Sequence, residues 1–311
     1  MDLDGDGHLD VLSGSYSRVG EGGMAGLFHV LLGDGRGGYR APVAVKGGDG
    51  QPLVVKAHAS APDATTEKIC TRPFACDLDG DGALDLVVGN FAGTFVWFRG
   101  EGRGAFEGEC RYLVDAQGEL LRVAYHSDPV MVDWDRDGDL DLVSGSDMGG
   151  VVWFPNVGSR EEPRFGGKVV LVERTAGREQ GGESGDGGGD GGGVRLGVPA
   201  MTEPGGALRV CVADVDGDGR MDLLVGDSVQ YMVAADGLDE SEARRRYAAW
   251  KERYDEIVRS QLELQGRAAG DDASRAALAK TASVLEAHYE AQREIVEYRG
   301  VGGVWWYRRL R

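Results

Sequence analysis

The sequence predicts an all-β chain, a β-propeller of four-stranded antiparallel blades with an antiparallel helical hairpin inserted in the last blade. Three observations lead to this prediction. A nine-residue acidic loop occurs four times, a short apolar strand ending in glycine follows each copy, and an aromatic-rich strand comes next. The chain has 311 residues, of which 41% are hydrophobic, enough to bury the core of one large all-β domain.

The four acidic loops share one spacing, with aspartate at positions 1, 3, 5 and 9 and glycine at position 6. They are called loop 1 (residues 2–10), loop 2 (77–85), loop 3 (133–141) and loop 4 (214–222). Because glycine allows a sharp turn, the side-chain oxygens of positions 1, 3 and 5 can converge on one point. The position-7 carbonyl can add a further oxygen, and the position-9 aspartate can close the ring.

Hard oxygen ligands in this number favour Ca²⁺ over Mg²⁺, so the spacing predicts about four calcium sites. The predicted ligands are Asp2, Asp4, Asp6, His8 and Asp10 in loop 1, Asp77, Asp79, Asp81, Ala83 and Asp85 in loop 2, Asp133, Asp135, Asp137, Asp139 and Asp141 in loop 3, and Asp214, Asp216, Asp218, Arg220 and Asp222 in loop 4. The position-7 residues are expected to contribute their backbone carbonyls. We predict no catalytic residues and no other cofactor.

Two other interpretations of these loops fit the sequence less well. A single stretch rich in Asp and Gly is more often a solvated turn, but four copies with the same aspartate spacing argue against that. An EF-hand needs a bidentate Glu at position 12, between two helices. Position 12 here lies in apolar, strand-like runs and is Ser13, Val88, Ser144 or Val225.

The predicted single propeller domain covers residues 1–311, with blades at about 1–57, 73–115, 127–174 and 207–311. Each second strand is expected to end at a glycine: Gly14, Gly89, Gly145 or Gly226. A lone aromatic is expected to open the fourth strand in three repeats: Tyr39, Phe106 and Phe165. The tryptophans of the third strands are expected to pack between blades. The first repeat has no strand before its loop, and the last repeat ends after its third strand.

Two insertions interrupt the repeats. Residues 177–193 are mostly Gly, Asp, Glu and Ser, a composition that predicts disorder. Residues 238–299 have apolar side chains three and four apart, which predicts two helices packed along a narrow seam, with Asp239 as the first N-cap.

The run D-x-D-x-D-G-x-x-D-L followed by an apolar strand resembles the calcium-binding FG-GAP/VCBS-type repeat. This repeat builds integrin-α-like propellers and occurs in many secreted bacterial proteins. The resemblance covers most of the chain outside the insertions and implies that the loop aspartates bind calcium. Integrin-type propellers have seven blades, whereas four repeats are visible in this sequence. We therefore expect a truncated product of a longer secreted protein, the alternative being a small propeller closed in an unusual way.

Charge and targeting signals narrow the class of partner and the location. The formal charge of -18 disfavours nucleic acid and anionic membranes as partners. No apolar run approaches transmembrane length, and there is no signal peptide, whose absence we ascribe to truncation. Weak calcium sites would be filled outside the cytosol, so we expect an extracellular or periplasmic protein.

Four cysteines are too few for a disulfide scaffold. Cys76 and Cys211 are predicted to be buried free thiols in inner strands, while a bridge from Cys70 to either Cys76 or Cys110 stays open.

Connectivity places all the metal loops on one face of the propeller and the long connections on the other, where binding residues usually lie. The predicted function is a calcium-stabilised, non-catalytic binding or adhesion module for protein or carbohydrate. The alternative is the propeller portion of a polysaccharide lyase or hydrolase. A pocket that joins His58, His126 and acidic side chains would favour this alternative.

Overall fold

The computed structural model describes residues 1–20, 23–61, 63–148, 150–173, 196–197, 202–267 and 272–309. In this part of the chain four small antiparallel sheets follow one another in a four-bladed propeller arrangement, and two helices form a hairpin. The predicted fold class is therefore confirmed. The stretch predicted to be disordered, 177–193, lies outside the described residues.

The strands and helices fall into four groups along the chain, one for each repeat. Strands β1 (Val11–Ser13), β2 (Arg18–Gly20), β3 (Gly23–Ala25), β4 (His29–Leu31) and β5 (Val43–Ala44) belong to the first repeat. The second repeat contains β6 (Arg72–Cys76), β7 (Asp85–Gly89), β8 (Phe95–Phe98), β9 (Gly100–Gly102), β10 (Ala105–Phe106) and β11 (Arg111–Tyr112). The third contains β12 (Asp128–Val132), β13 (Asp141–Gly145), β14 (Val151–Phe154) and β15 (Val169–Val172). The last contains β16 (Gly206–Ala213), β17 (Asp222–Ala234), α1 (Glu240–Arg267), α2 (Asp272–Arg293), β18 (Val296–Val301) and β19 (Val304–Tyr307).

The blades differ in strand number. The strand order is β1-β4-β5 in blade 1, β6-β7-β8-β11 in blade 2, β12-β13-β14-β15 in blade 3 and β16-β17-β19 in blade 4. Within the described ranges, blade 1 has no strand before its acidic loop and blade 4 has none after β19, as the sequence predicted.

The second strand of a blade contributes side chains to two hydrophobic cores, one on each of its faces. Along β7 the side chains of Leu86 and Val88 pack into the core shared with blade 1, whereas Val87 packs into the core shared with blade 3. All three are fully buried. Side chains of a strand alternate between its faces, so a strand buried on both faces is a continuous apolar run.

The glycine that ends each of the first three second strands lies against the backbone of the next blade. A Cβ on Gly14 would lie 1.9 Å from the carbonyl oxygen of Thr71, and a Cβ on Gly89 would lie 2.2 Å from that of Ser127. A Cβ on Gly145 would lie 2.8 Å from the carbonyl oxygen of Leu208 in the next blade. Only a residue without a side chain allows this approach, which explains the recurring glycine physically.

Two kinds of predicted strand limit are wrong, and the first is the end of β17. β17 does not end at Gly226 but continues to Ala234. Its second half, from Val229 to Ala234, pairs with β18 and no longer with β16 and β19. The nearest backbone atom to a Cβ on Gly226 would be 3.8 Å away, so no neighbouring blade interrupts the strand there.

The lone aromatics do not open the fourth strands, which begin several residues later. Phe106 and Phe165 are buried, and their carbonyls accept hydrogen bonds from Gly48 (3.0 Å) and Ala116 (2.9 Å) of the preceding blade's connection. They therefore join successive blades. Tyr39, which has no preceding blade in the described chain, is 52% exposed.

The described chain divides into two compact units. The first, with all four blades, comprises Met1–Gly192, Glu203–Ser228 and Gly302–Arg311; the second comprises Gly193–Thr202 and Val229–Val301. None of the helices in the described ranges has an apolar stretch of membrane-spanning length.

Within the second unit the two helices pack around Trp250. Its ring stacks on that of His288 with centroids 4.9 Å apart. The indole N–H donates to the His288 carbonyl, and the His288 Nε2–H donates to the Trp250 carbonyl, both at 2.8 Å. Asp239 caps α1 by accepting a hydrogen bond from the amide of Glu242 (2.9 Å), as predicted. The helical part ends earlier than predicted, because Val296 lies in β18.

All four cysteines are free thiols. Cys70 and Cys76 are buried and Cys110 is half-buried, whereas Cys211 is exposed. The prediction that Cys211 is buried is wrong, because β16 turns Val210 toward the core shared with blade 3 and the alternate side chain faces outward.

Candidate metal centres

Each acidic loop brings three aspartates together. In loops 1, 3 and 4 these are the aspartates of positions 1, 3 and 5, and in loop 2 those of positions 1, 3 and 9. Within each group, one oxygen from each carboxylate lies within 4.8 Å of the others. The groups are Asp2, Asp4 and Asp6; Asp77, Asp79 and Asp85; Asp133, Asp135 and Asp137; and Asp214, Asp216 and Asp218.

The turn of each loop requires two left-handed residues, and the sequence pattern predicted only one of them. Position 6 is a glycine with φ between 80° and 103° in every loop. Position 4 is also left-handed, at 70–76°, and is Gly5, Gly80, Arg136 or Gly217. The signal was present in the sequence, since three of the four loops have glycine at position 4.

The position-7 residues are held by the aspartate two residues earlier. The amides of His8, Ala83 and Arg220 donate to the position-5 carboxylate at 2.8–2.9 Å, and that of Asp139 does so at 3.3 Å. This turn fixes the backbone next to the aspartate group. The role of the position-7 carbonyls as ligands stays a prediction.

The position-9 aspartate fastens its loop to the third strand of the blade. The carboxylate of Asp85 accepts hydrogen bonds from the amides of Leu78 (2.9 Å) and Gly100 (2.6 Å). The other three loops repeat the pattern: Asp10 accepts from Leu3 and Gly33, Asp141 from Trp134 and Asn156, and Asp222 from Val215 and Arg309. Burial raises the pKa of Asp85, and the two amide hydrogen bonds oppose that rise. In loops 1 to 3 the two amides bind different oxygens, so each oxygen keeps a second lone pair and this role is compatible with metal binding. In loop 4 the Oδ2 of Asp222 also accepts a hydrogen bond from the indole of Trp306 (3.0 Å).

Loops 2 and 3 contain buried carboxylate oxygens without a hydrogen-bond partner. They are Oδ1 of Asp77, Asp79, Asp133 and Asp139. Buried polar atoms are normally paired, so an unpaired carboxylate oxygen that faces other carboxylates indicates room for a cation. Oxygen-only ligands of this kind match the preference of Ca²⁺. The residues present therefore fit a bound calcium ion.

Asp139 offers its carboxylate as well as its carbonyl, which the spacing of the loop did not predict. Its residue is only 8% exposed. Burial, together with the charges of Asp137 and Asp141, raises its pKa to about 6. Loop 3 thus gathers five carboxylates.

The connections into blades 2 and 3 lie at the other end of the strands from the acidic loops. β7 runs from Asp85 in loop 2 to Gly89, and the turn at residues 90–94 follows. Residues 57–71 bond to this turn, because the amide of Phe91 donates to the carbonyl of Ile69 (3.0 Å). The connection between blades 2 and 3 also bonds to this turn, since the amide of His126 donates to the carbonyl of Phe91 (2.9 Å). These segments, with the turn, are called the connection face of the first unit.

The two histidines of the connection face have different surroundings. The Arg72 guanidinium donates to the carbonyl of His126 (2.8 Å) and to its Nδ1 (3.3 Å). An arginine can only donate, so Nδ1 accepts and the ring proton is on Nε2. Burial lowers the pKa of His126, the charge of Asp147 opposes this shift, and the charges of Arg72 and Arg209 lower the pKa further. The ring is thus held neutral, as a hydrogen-bond donor.

His58 instead packs edge-to-face on Tyr112, with centroids 5.0 Å apart. The Tyr112 hydroxyl donates to the carboxylate of Glu67, which is fully buried and also accepts from Thr94 (3.2 Å). Burial and the hydrogen bond to Glu67 raise the pKa of Tyr112. This polar cluster ties residues 57–71 to blade 2.

Comparison with protein families gives a match over part of the chain. A family model described as an FG-GAP-like repeat matches residues 77–144, which is the span from the start of loop 2 through loop 3 and most of β13. This stretch is thus similar to that family. Together with the four-bladed arrangement, the match supports an FG-GAP type of propeller. No curated protein and no solved structure shows a significant match to the chain.

Proposed function

We propose that this chain is a calcium-stabilised extracellular propeller module that binds protein or carbohydrate ligands and has no catalytic role. The observation that carries the calcium part is the set of buried, unpaired carboxylate oxygens in loops 2 and 3. Four grouped aspartate loops with shared geometry extend it to about four sites.

Bound calcium would neutralise carboxylates that otherwise repel one another. The aspartates of each loop lie between the first and second strands of a blade, and the position-9 aspartate links the loop to the third strand. Ordering one loop therefore orders three strands. For an affinity of about 0.1 mM and about 1 mM free calcium, linkage gives roughly 1.4 kcal/mol per site, or about 5–6 kcal/mol for four. Sites of that strength are filled outside cells, which supports an extracellular location.

The connection face is the proposed ligand-binding face. It carries long segments on a rigid sheet scaffold, the usual location of binding residues. Tyr125 is 53% exposed there, next to Phe91, with which it packs edge-to-face at 5.9 Å. Exposed aromatic rings are frequent in both carbohydrate and protein recognition.

The separate surroundings of the two histidines favour a binding module over the lyase or hydrolase alternative. His126 is bonded to Arg72, whereas His58 packs on Tyr112. The raised pKa of Tyr112 also makes its hydroxyl a poor general base.

A glycan array and a protein array, each probed with and without calcium, test this proposal. We expect a calcium-dependent signal that is lost in Tyr125→Ala and kept in Leu9→Ala, which changes a 71%-exposed side chain of loop 1. Binding lost only in Leu9→Ala would contradict the assignment of the face. Turnover of a polysaccharide without net binding would favour the alternative.

A further inference from the structure

We infer that the four acidic loops form two classes: loops 2 and 4 have built-in arginine counter-ions and bind calcium weakly, while loops 1 and 3 bind it tightly. The inference rests on the proposed calcium sites and adds which of them respond to calcium concentration.

In loop 2, arginines already pair with three aspartates. Arg99 donates from Nε to Asp79 Oδ2 and from Nη2 to Asp81 Oδ2, both at 2.8 Å. Arg160, which follows β14 in the next blade, donates to Asp77 Oδ2 at 3.0 Å. Two positive charges therefore lie against the ligand set of this loop.

Loop 4 has the same arrangement. Arg308 Nε lies 2.6 Å from Asp216 Oδ2, and its Nη2 lies 3.8 Å from Asp218 Oδ2. Carbonyl contacts do not distinguish the loops, because the guanidinium of Arg136 in loop 3 donates to the carbonyl of Gly219 in loop 4 and that of Arg309 donates to the carbonyl of Trp134 in loop 3.

The repeat itself shows why only two loops have this feature. Arg99 and Arg308 each stand directly before the residue whose amide binds the position-9 aspartate, Gly100 and Arg309 respectively. The same position holds Leu32 in blade 1 and Pro155 in blade 3. Neither side chain is charged. Among the described residues, no arginine or lysine forms an ion pair with an aspartate of loop 1 or loop 3.

The arginines of loop 2 do not block the metal position. They bind the outer Oδ2 atoms, whereas Oδ1 of Asp77 and Asp79 stays buried and unpaired. A guanidinium on the outer oxygens lowers the negative charge of the ligand set and repels a divalent cation. It also relieves the repulsion between aspartates, so the loop keeps its shape without metal.

The expected effect on affinity is moderate, because Arg99 and Arg308 are partly exposed and water screens their charge. An exposed ion pair contributes about 0.2–1 kcal/mol, which corresponds to roughly 1.4- to 5-fold per pair. The two contacts of each arginine then give roughly 2- to 30-fold, and about 3- to 10-fold for pairs in the middle of this range. Loop 3, in which the buried and unpaired Oδ1 of Asp139 adds a fifth carboxylate, is expected to be the tightest.

Calorimetric titration of the full chain with CaCl₂ tests this inference. Leucine is the replacement, because Leu32 occupies the corresponding position of blade 1. We expect two classes of site in the unmodified chain. The double variant Arg99→Leu with Arg308→Leu should tighten the weak class by about 3- to 10-fold. The reverse variant Leu32→Arg should weaken one tight site by a similar factor. Arg164→Leu removes an arginine that pairs with Glu162 away from the loops and controls for net charge.

The outcomes separate the two proposals. Tightening in the double variant or weakening in Leu32→Arg, each without a change in Arg164→Leu, supports the inference. Circular dichroism of each variant without calcium identifies any that fails to fold, and the reverse variant then decides. Four sites of equal affinity, unchanged in every variant, would overturn the inference and leave the calcium sites standing. No binding in any variant would overturn the proposed function as well.

Discussion

Gly89 lies against the backbone of Ser127 in the next blade, so closely that an added Cβ would be 2.2 Å from the Ser127 carbonyl oxygen. Gly89→Ala must therefore push blades 2 and 3 apart. We expect it to lower the free energy of unfolding by about 2–3 kcal/mol, as overpacking does in other cores.

Gly226→Ala is the matched control, because its Cβ would meet nothing closer than 3.8 Å. We expect a change of less than about 1 kcal/mol there. Urea unfolding followed by tryptophan fluorescence measures both variants. Equal losses at the two glycines would contradict the assigned contact between blades.

The position-9 aspartate is expected to stabilise its blade even in the absence of metal. Asp85→Asn replaces one carboxylate oxygen with an NH₂ group that cannot accept from Leu78 or Gly100. The loss should be about 1–3 kcal/mol, measured by thermal unfolding in chelator.

Asp81→Asn provides the comparison for this effect. Its side-chain oxygen can still accept from the amide of Ala83, so the melting temperature in chelator should barely change. If Asp85→Asn is harmless in chelator and harmful only with calcium, the carboxylate is a metal ligand without the structural role.

In the helical hairpin, Trp250→Phe removes the indole donor to the carbonyl of His288. Loss of this interhelical hydrogen bond and a weaker stack should destabilise the hairpin by about 1–2 kcal/mol. Hydrogen exchange of α1 and α2 should rise accordingly. Val284→Ala, at a 42%-exposed position, is the control and should leave the exchange nearly unchanged. Equal exchange in the two variants would show that Trp250 does not hold the helices together.

Thiol labelling at pH 8 should separate the cysteines. Cys211 is exposed and should react fast, whereas burial raises the pKa of Cys70 to about 11 and keeps it protonated at pH 8. Burial also raises the pKa of Cys76. All four should react once the chain is unfolded in denaturant without reductant. If only two thiols react in the unfolded chain, the other two cysteines form a disulfide.

The fold could be predicted from the sequence because its strongest local rules repeat. The loop spacing recurs four times, an apolar strand precedes three of the loops, and a glycine ends the second strand in the first three blades. The limits that failed depend on long-range contacts. β17 continues past Gly226 because no further blade meets it in the described chain. Phe106 lies before its fourth strand because its carbonyl binds the amide of Gly48 from the previous blade.

The candidate sites were predicted in outline, and the details that were missed are geometric. The spacing of aspartates indicates which side chains converge, but it does not show that the carboxylate of Asp85 binds two amides 22 residues apart, those of Leu78 and Gly100. Nor does spacing show that Arg99 reaches Asp79 from the end of the third strand. Both contacts depend on the register of antiparallel strands, which sequence periodicity alone leaves open.

The calcium sites are tested most directly by thermal unfolding of the full chain in chelator, in 1 mM CaCl₂ and in 1 mM MgCl₂, with Asp135→Asn as a variant of the most acidic loop. Four filled sites at about 1.4 kcal/mol each should raise the melting temperature by roughly 10 °C or more in calcium, and by much less in magnesium. Asp135→Asn, which alters the loop expected to bind most tightly, should lose at least a quarter of that gain. A melting temperature that is the same in chelator and in calcium would contradict the account.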